Sequence, residues 1–384
     1  MPKSIIRKFS KTFIIVTNIL VALFFLLGSY SSWFNPKFWW FIGFFNLAAF
    51  YLLLILIAYF LFWLLVKPKF SLIFIVTVLL AIIPIKNIIP FRFSSSFTIQ
   101  KDSASLRIMS WNVAQFNLIK YKKDSTVKKQ MLELINAYNP DIACFQEMVC
   151  GDVAVDLNTP YYQKHPFFSL QAFVKELQFP CHFYAYNVKE DYLENQHFGI
   201  IIFSKYPIIK KELVSEYPHN YNSIFQYADI VKGGDTFRVF NIHLQSLKFT
   251  ANNLKYIDKP SMKDEADLKK SKSLIGKLKN GFLKRQLQAD RIKTEMKKSP
   301  YPNIVCGDFN DVPNSYAYNI IGKGMKNAFV EKGNGLGRTF TGISPTLRID
   351  NIFVDKKWDV QQFTRVQKKL SDHYPVIADI KKMD

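Results

Sequence analysis

The first hundred residues of this 384-residue chain contain no aspartate and no glutamate. All 30 acidic residues follow, with 42 of the 51 lysines and arginines, so the net charge of +21 is unevenly distributed. A basic domain favours polyanions such as nucleic acid or anionic lipid head groups, although a solvated lysine-rich surface has the same composition. The apolar runs of the first hundred residues lack the intramembrane ionisable groups that a coupled transporter needs, which argues against a transporter.

Cysteine is also scarce, with four residues and no spacing typical of a metal site. Cys144 and Cys306 lie inside apolar runs and are expected to be small core residues. Cys150 and Cys181 flank a loop-like stretch, and a disulfide between them would require an oxidising compartment. The sequence has no serine in a nucleophile elbow and no glycine-rich phosphate loop, so a water nucleophile is the simplest expectation for any hydrolytic chemistry.

The first hundred residues, which lack acidic side chains, contain long apolar runs instead. The first covers Phe13–Tyr30, the second covers Phe38–Val66, and a third helix is placed at about 70–89, interrupted by Pro84 and Lys86. The first two are long enough to cross the roughly 30 Å hydrocarbon layer of a bilayer. A cleaved signal peptide fits poorly because a second, longer run follows at once. We therefore expect three transmembrane helices within residues 1–92.

Charge and tryptophan positions predict the orientation of these helices. Lys3, Arg7, Lys8 and Lys11 predict a cytoplasmic N terminus, and Lys67 with Lys69 would return to that side after the second run. Tryptophans near the run ends are typical of membrane interfaces. Three spans would make this a multi-pass protein of the bacterial inner membrane with an extracytoplasmic domain. If the third run only dips into the bilayer, that domain is cytoplasmic instead.

After a serine-rich linker at 93–104, a soluble domain is expected over residues 105–384, where the apolar runs become short. One segment, Ser125–Tyr138, has helical spacing and stops at Asn139-Pro140. The runs that predict strands are Leu106–Val113, Asp141–Glu147, Phe198–Ser204, a hairpin of Tyr227–Val231 and Phe237–Leu244, Asn303–Cys306, Arg348–Val354 and Tyr374–Ile380. Strands interspersed with helices predict an α/β domain with two packed sheets.

Polar residues recur where these strands end. They are Asn112, Glu147, His243, Asp308, Asn310, Asp350, Asp372 and His373. One such residue is usually a cap or a turn former, but eight of them would converge if the strands share one mouth. The set offers only hard oxygen and nitrogen donors, which suit Mg²⁺ or Mn²⁺.

Six motifs resemble, in order, the endonuclease/exonuclease/phosphatase superfamily of DNase I-like proteins. They are Ser110-Trp111-Asn112-Val113, Phe145-Gln146-Glu147, Asn241-Ile242-His243-Leu244, Gly307-Asp308-Phe309-Asn310, Arg348-Ile349-Asp350 and Ser371-Asp372-His373-Tyr374-Pro375-Val376. The resemblance covers roughly residues 105–384. It implies a four-layer αββα sandwich, preceded here by an all-α transmembrane segment. It also implies metal-dependent cleavage of phosphodiester or phosphomonoester bonds.

The resemblance implies a metal site and a phosphate-contacting stretch. Glu147 would be the principal metal carboxylate, with Asn112 and Asp372 as further ligands of Mg²⁺ or Mn²⁺. The stretch Arg338-Thr339-Phe340 lies where the family contacts phosphate.

The same resemblance implies catalytic roles for five residues. Asp308 would orient or deprotonate the attacking water, and Asn310 would donate to the transition-state oxygens. His243 and His373 would flank the phosphate, with Asp350 hydrogen-bonded to His373. Which group acts as general base stays open.

Two stretches depart from the resemblance. Lys248–Lys298 is long and lysine-rich, and only its part Arg285–Ile292 matches a helix of the family. The rest would form either a basic lip that contacts head groups or nucleic acid, or a solvated helix. Gly151–Cys181 is rich in aromatic residues and would either shape a substrate pocket or cover a sheet edge.

The sequence thus predicts a membrane-anchored, divalent-metal-dependent phosphoesterase. Its expected partners are the lipid bilayer and a phosphodiester substrate, either a lipid head group or nucleic acid. The alternative is a catalytically inactive membrane scaffold with the same fold. Intact metal and proton-transfer positions argue against that alternative.

Overall fold

The computed structural model describes residues 3–383 except 93–95, 122, 152–154, 162–166, 187–194, 215–224, 248 and 262–263. Its helices are α1 (Lys3–Ser29), α2 (Pro36–Trp39), α3 (Ile42–Val66), α4 (Leu72–Leu80), α5 (Ile82–Ile88), α6 (Thr126–Tyr138), α7 (Leu170–Leu177), α8 (Ala251–Asp258), α9 (Glu265–Lys297), α10 (Tyr316–Gly322) and α11 (Ala328–Lys332). The first five form an apolar bundle, and the others surround two sheets.

Two helices of the bundle, Arg7–Ser29 within α1 and Ile42–Val66, are long and apolar enough to cross a membrane. The third apolar run is broken, because Pro68–Leu80 and Ile82–Ile88 meet at an angle of 72°. Pro84 explains the break, since it has no N–H for the carbonyl of Leu80 four residues earlier. The hydroxyl of Tyr30 donates to that carbonyl instead. The two halves make a third crossing only if they count as one span.

The first sheet has the order β11-β12-β1-β2-β4-β3. Its strands are β1 (Leu106–Asn112), β2 (Ile142–Cys150), β3 (Cys181–Tyr186), β4 (His197–Ser204), β11 (Trp358–Arg365) and β12 (Val376–Lys382). β1 and β2 are parallel, and the other neighbours are antiparallel.

The second sheet has the order β5-β6-β7-β8-β10-β9. Its strands are β5 (Ile208–Leu213), β6 (Phe225–Lys232), β7 (Asp235–His243), β8 (Asn303–Asp308), β9 (Met325–Asn327) and β10 (Asp350–Asp355). Only β7 and β8 are parallel among its paired strands. The expected hairpin is confirmed as β6–β7, which turns through Gly233 and Gly234 at positive φ.

Three apolar cores separate four layers, which confirms the expected αββα sandwich. The middle core lies between the sheets and contains Cys144 and Cys306, both fully buried as expected. A second core joins α6 and α7 to the outer face of the first sheet. A third joins α9 and α10 to the outer face of the second sheet.

The aromatic stretch 151–181 contributes to the core beneath α6 and α7. Phe168, Phe173 and Phe179 are at most 2% exposed there, so these three rings cover the sheet. Tyr162 lies outside the described residues. The lysine-rich stretch contains α9, a 33-residue helix that begins at Asp264 as its N-cap. The expected helix Arg285–Ile292 is the part of α9 that packs on the second sheet.

Cys150 and Cys181 do not form a disulfide. Cys150 pairs with His197 and Cys181 with Ser204 along β4, so the two cysteines are seven strand positions apart. At about 3.3 Å per residue that separation is roughly 23 Å, far beyond the reach of a disulfide.

Residues on both sides of 93–95 are attached to the domain. Gly335 donates its N–H to the carbonyl of Pro90 at 3.0 Å. Thr98 and Gln362 exchange two hydrogen bonds, each of 2.9 Å. The expected linker therefore runs along the β11 edge in its described part and does not project away from the domain.

Candidate active site

Strand directions bring three of the predicted residues to one edge of the second sheet. β7 and β8 are parallel, so His243 and Asp308 lie side by side where both strands end. β10 is antiparallel to β8 and begins at that same edge with Asp350, which pairs with Asp308. The sheet topology therefore places one imidazole beside two carboxylates.

The first sheet meets this edge in the same way. β1 and β2 are parallel, so Asn112 at the end of β1 lies beside Gln146, the residue before Glu147. β12 runs antiparallel to β1, so the residues just before Val376 lie beside the end of β1. The indole N–H of Trp111 donates to the carbonyl of His373 at 2.9 Å and fixes that approach.

Asp308 lies at the centre of the site and is 1% exposed. Its Oδ2 is 3.5 Å from Nε2 of His243 and 3.8 Å from Nε2 of His373. Nδ1 of His373 is 2.9 Å from Oδ2 of Asp350. The predicted His373–Asp350 pair is therefore present, and its far ring nitrogen faces Asp308.

The three predicted metal ligands lie around this centre. Oε1 of Glu147 is 3.9 Å from Nε2 of His243, and the amide of Asn112 donates to Oδ2 of Asp308 at 3.3 Å. The hydroxyl of Ser371 donates to the Asn112 carbonyl at 2.8 Å and lies 3.2 Å from Oδ1 of Asp372. Asp372 is exposed to solvent.

Asn310 completes the set. Its backbone N–H donates to Oδ1 of Asp308 at 2.7 Å, and its side-chain amide donates to the carbonyl of Leu244 at 3.0 Å. Its φ of 49° is left-handed, a conformation that asparagine tolerates better than most residues. Contacts of 3.9 Å or less thus link seven of the eight predicted residues, and Asp372 is connected to them through Ser371.

Glu147 reaches the site through an irregularity in β2. The pairing of β2 with β4 shifts between Phe145 and Met148, and Glu147 has a φ of 54°. A bulge of this kind redirects a side chain that regular alternation would place elsewhere. β2 continues past Glu147 to Cys150, so this residue does not end its strand as the sequence predicted.

Gly307 lets the two parallel strands approach closely beside Asp308. Its φ is 144°, and a Cβ atom at this position would lie 1.9 Å from the carbonyl oxygen of Ile242. Only glycine fits such an approach. The glycine before Asp308 is therefore a structural requirement of the β7–β8 pairing.

Burial and mutual charge give the two histidines opposite protonation tendencies. Burial, together with the charge of His373, lowers the pKa of His243 to about 3. Burial alone would lower the pKa of His373, but the charges of Asp350 and Asp308 outweigh it and raise that pKa to about 10. Burial raises the pKa of Asp308, and the charge of His373 opposes that rise.

Three buried polar atoms of the site lack a hydrogen-bond partner among the described residues. They are both ring nitrogens of His243 and Oδ1 of Asp350, and twelve further atoms of this kind belong to other residues. Orphaned buried polar atoms call for an explanation such as a ligand or an ion. The three in the site fit a site that binds a polar ligand.

One set of described side chains has ligand atoms close enough together to hold a metal ion. Asp308, Asp350 and His373 offer ligand atoms within 4.8 Å of one another. In that set, however, His373 and Asp350 are hydrogen-bonded to each other. Mg²⁺ favours oxygen ligands with several waters, and the predicted ligands Glu147, Asp372 and Asn112 carry oxygen atoms of that kind. The chemistry of these side chains fits a hard divalent cation.

Sequence reasoning quoted Thr339, Gln146 and Asn241 within motifs but did not predict how they support the site. Thr339 accepts two backbone hydrogen bonds, from Ile349 at 2.9 Å and Asp350 at 3.0 Å, so it fixes the start of β10. Gln146 donates to Asn241 at 2.7 Å and ties the two sheets together beneath the site. Both neighbours, Gln146 and Asn241, belong to the quoted motifs, and their buried amides were the signal.

Residues 109–373 match the Endonuclease/Exonuclease/phosphatase family. The chain belongs to this family, whose members include nucleases and phosphatases. Residues 11–88 match a separate family described only as a domain of unknown function. No curated protein matches the chain.

Solved structures show the same fold. An endonuclease/exonuclease/phosphatase family protein from Bacteroides thetaiotaomicron is 17% identical over 74% of this chain and 100% of its own, with a TM-score of 0.51. The human Nocturnin catalytic domain is 16% identical over 73% and 94%, with a TM-score of 0.50. An endonuclease/exonuclease/phosphatase from Beutenbergia cavernae is 15% identical over 73% and 72%, also at 0.50. At these identities the similarity establishes a DNase I-like fold.

Proposed function

We propose that this chain is a membrane-anchored, divalent-metal-dependent phosphoesterase that hydrolyses its substrate with an activated water. The observation that carries the proposal is the convergence of two histidines and two further carboxylates, Glu147 and Asp350, around Asp308 at one edge of both sheets. Its substrate is a phosphodiester or a phosphomonoester, of either a lipid head group or a nucleic acid.

Glu147, Asn112 and Asp372 would hold Mg²⁺ or Mn²⁺ in this proposal. When bound, such an ion neutralises charge that develops on the phosphoryl oxygens. Glu147 suits this role because its side chain is 22% exposed while reaching within 3.9 Å of His243. Water and substrate oxygens therefore have access to its carboxylate.

The buried residues would bind the phosphate and move protons. Asp308 would orient the attacking water, since its carboxylate lies between the two histidines. The bond to Asp350 holds the proton of His373 on Nδ1 and directs Nε2 toward the reacting centre. Neither ring nitrogen of His243 has a hydrogen-bond partner among the described residues, so its ring N–H could donate to a phosphate oxygen. Asn310 would donate its amide to a transition-state oxygen.

Contacts within the N-terminal bundle support three crossings with an extracytoplasmic domain. Lys11 and Lys69 lie over the ring of Phe70 at 5.6 and 5.4 Å, so both basic segments share one end of the bundle. Ser31 and Asn87 both bond to Asn314, so the ends of the first and third runs share the opposite end. A C-terminal reporter active only in the cytoplasm would reject this orientation.

The basic helix α9 also contacts the bundle. Phe282 packs edge-on against Phe44 at 5.8 Å, and Lys279 lies over the ring of Trp40 at 5.0 Å. Tryptophan and lysine side by side are typical of a membrane interface. These contacts favour a basic lip at the head groups over a wholly solvated helix.

Metal removal tests the proposed reaction. The full-length chain in detergent should hydrolyse a soluble bis-aryl phosphodiester, lose that activity in EDTA, and regain it on addition of Mg²⁺ or Mn²⁺. A persistent rate in EDTA would contradict metal dependence. Failure to hydrolyse any phosphoester with metal present would favour the inactive scaffold, which has no specific observation in its favour.

A further inference from the structure

Two loops beside the catalytic residues are attached to the membrane helix α3. The β8 loop, residues 309–315, follows Asp308 directly. The β10 loop, residues 338–349, precedes Asp350 directly. Each loop therefore carries a catalytic residue at its base and reaches the helical bundle with its far part.

The β8 loop is fixed by buried amides of the bundle. The side-chain amide of Asn46, on α3, donates to the carbonyl of Pro313 at 3.0 Å and is 4% exposed. Ser31 donates to the carbonyl of Asn314 at 2.8 Å, and the amide of Asn314 donates to Pro84 at 2.9 Å. Four residues after Asn310, the loop is thus locked to the bundle.

The β10 loop connects the exposed side of the site to the same helix. At its base, Phe340 packs edge-on against His373 at 5.1 Å, and Thr341 donates to the carbonyl of Asp372 at 2.8 Å. At its tip, the hydroxyls of Ser344 and Tyr51 on α3 lie 2.9 Å apart. Only two residues of the loop, Gly342 and Ile343, therefore lie between its contact with Asp372 and its contact with α3.

A buried arginine fixes the end of the β10 loop. Arg348 is 1% exposed and donates to the carbonyl of Ile88 at 3.3 Å and of Leu336 at 3.0 Å, as well as to that of Asn87. These acceptors include the C-terminal carbonyls of α5, which favour a cation. The bundle therefore holds both loops in place, and the two loops together are called the rim of the site.

The position of the contacts along α3 sets their depth in the bilayer. A helix needs about 20 residues to cross the hydrocarbon layer. Counted back from Val66, after which Lys67 follows, about 20 residues reach residue 47. Asn46 and Tyr51 lie on either side of this point. The rim of the catalytic site therefore lies at the level where head groups meet hydrocarbon.

Ile343 at the tip of the β10 loop has the properties of a bilayer contact. It is 46% exposed, and its φ is 58°. A β-branched residue in this region is a strained outlier, and such strain persists mainly where function needs it. Ile343 lies next to Ser344, which contacts α3. A solvent-exposed apolar side chain therefore lies beside a membrane helix.

We infer that the substrate is a phosphoester lipid of the bilayer that holds the protein, and that α3 with the tip of the β10 loop forms the entrance through which its head group reaches Asp308. This inference rests on the proposed function. Water would form a new P–O bond, the ester P–O bond to one alcohol would break, and that alcohol would leave with one of water's protons. A nucleic acid would have to approach an entrance bordered by hydrocarbon.

The test uses the full-length chain reconstituted in vesicles of phosphatidylethanolamine, phosphatidylglycerol and sphingomyelin. The same preparation is assayed with a soluble bis-aryl phosphodiester and with plasmid DNA. The Ile343→Asn variant removes the apolar tip with a residue that accepts positive φ, so its thermal midpoint should not fall. We expect the ratio of lipid to soluble-diester turnover to fall about tenfold. The Ile209→Asn variant, at an exposed isoleucine on the edge strand β5, should keep the ratio of the unchanged chain.

A second pair of variants probes the contact with α3. Tyr51→Phe removes the bond to Ser344, and Tyr59→Phe removes a bond of the same 2.9 Å length from the same helix to Thr17. Only Tyr51→Phe should lower the ratio, by a few-fold.

The outcomes separate the inference from the function beneath it. Hydrolysis of the soluble diester without hydrolysis of any vesicle lipid would overturn the lipid inference and leave the phosphoesterase intact. Plasmid cleavage that outpaces lipid hydrolysis would overturn it as well. An unchanged ratio in both Ile343→Asn and Tyr51→Phe would remove the entrance assigned to α3. Loss of all three activities would overturn the proposed function itself.

Discussion

The ring of candidate catalytic residues and the rim that joins it to the N-terminal bundle are built differently. The ring consists of seven residues at or near strand ends and Glu147 at a bulge within β2, and every one lies in a short motif. The rim depends on pairs far apart in the chain, such as Asn46 with Pro313 and Arg348 with Ile88, which are 267 and 260 residues apart. The ring would perform the chemistry, and the rim decides which substrates can reach it.

This difference shows how separate parts of one site can be constrained by different forces. Under the proposed function, the ring residues are set by the chemistry of phosphate and metal, which carboxylate, amide and imidazole groups are suited to perform. Rim residues are set by the need to satisfy buried polar groups where two structural units meet. Substitutions should therefore affect activity in the ring and stability or substrate choice at the rim.

The largest effect is expected in the ring. Asp308→Asn keeps the size of the side chain and removes its charge, so turnover of a soluble bis-aryl phosphodiester should fall by at least about 10³. Stability should not fall, because burial of a carboxylate is costly. Asp359→Asn changes the same group at a side chain that is 52% exposed, and it serves as the control. A rate within tenfold of the unchanged chain would remove Asp308 from the centre of the mechanism.

A smaller effect of another kind is expected at the rim. Arg348→Ala leaves buried carbonyl oxygens without a donor, which should lower the free energy of unfolding by about 3 kcal/mol. Turnover of the soluble diester per folded molecule should change less than in Asp308→Asn. Arg291→Ala removes an arginine that is 54% exposed and should cause no measurable loss. Thermal unfolding in detergent gives the comparison, and equal midpoints for both variants would show that the rim does not depend on Arg348.

The same contrast explains what could be predicted from the sequence. Central strands such as β1, β4 and β8 are buried along their length and appear as continuous apolar runs. The strands that went unpredicted, β3, β5, β9 and β11, are the four edges of the two sheets. β5 is exposed along nearly its whole length, so its sequence carries little apolar signal. The two sheets were therefore predictable from their central strands, the four layers followed from the family resemblance, and the edges were not predicted.

Local backbone conformation at the site was also beyond sequence reasoning. Residues 114–117, directly after β1, have φ values of 42° to 60°, and Glu147 has a positive φ without a glycine to mark it. Such conformations persist because the surrounding contacts determine them. The motifs thus predicted which residues form the candidate site. The bulge that aims Glu147 and the loops that fix the rim required the structure.

The central claim is that this chain uses water to cleave a phosphoester bond at Asp308, and isotope transfer tests it most directly. The full-length chain with Mg²⁺ would hydrolyse a soluble bis-aryl phosphodiester in water enriched in ¹⁸O, and mass spectrometry would follow both products. Water attack on phosphorus predicts one ¹⁸O atom in the phosphate monoester and none in the released alcohol. Label in the alcohol, or no product at all, would contradict the account.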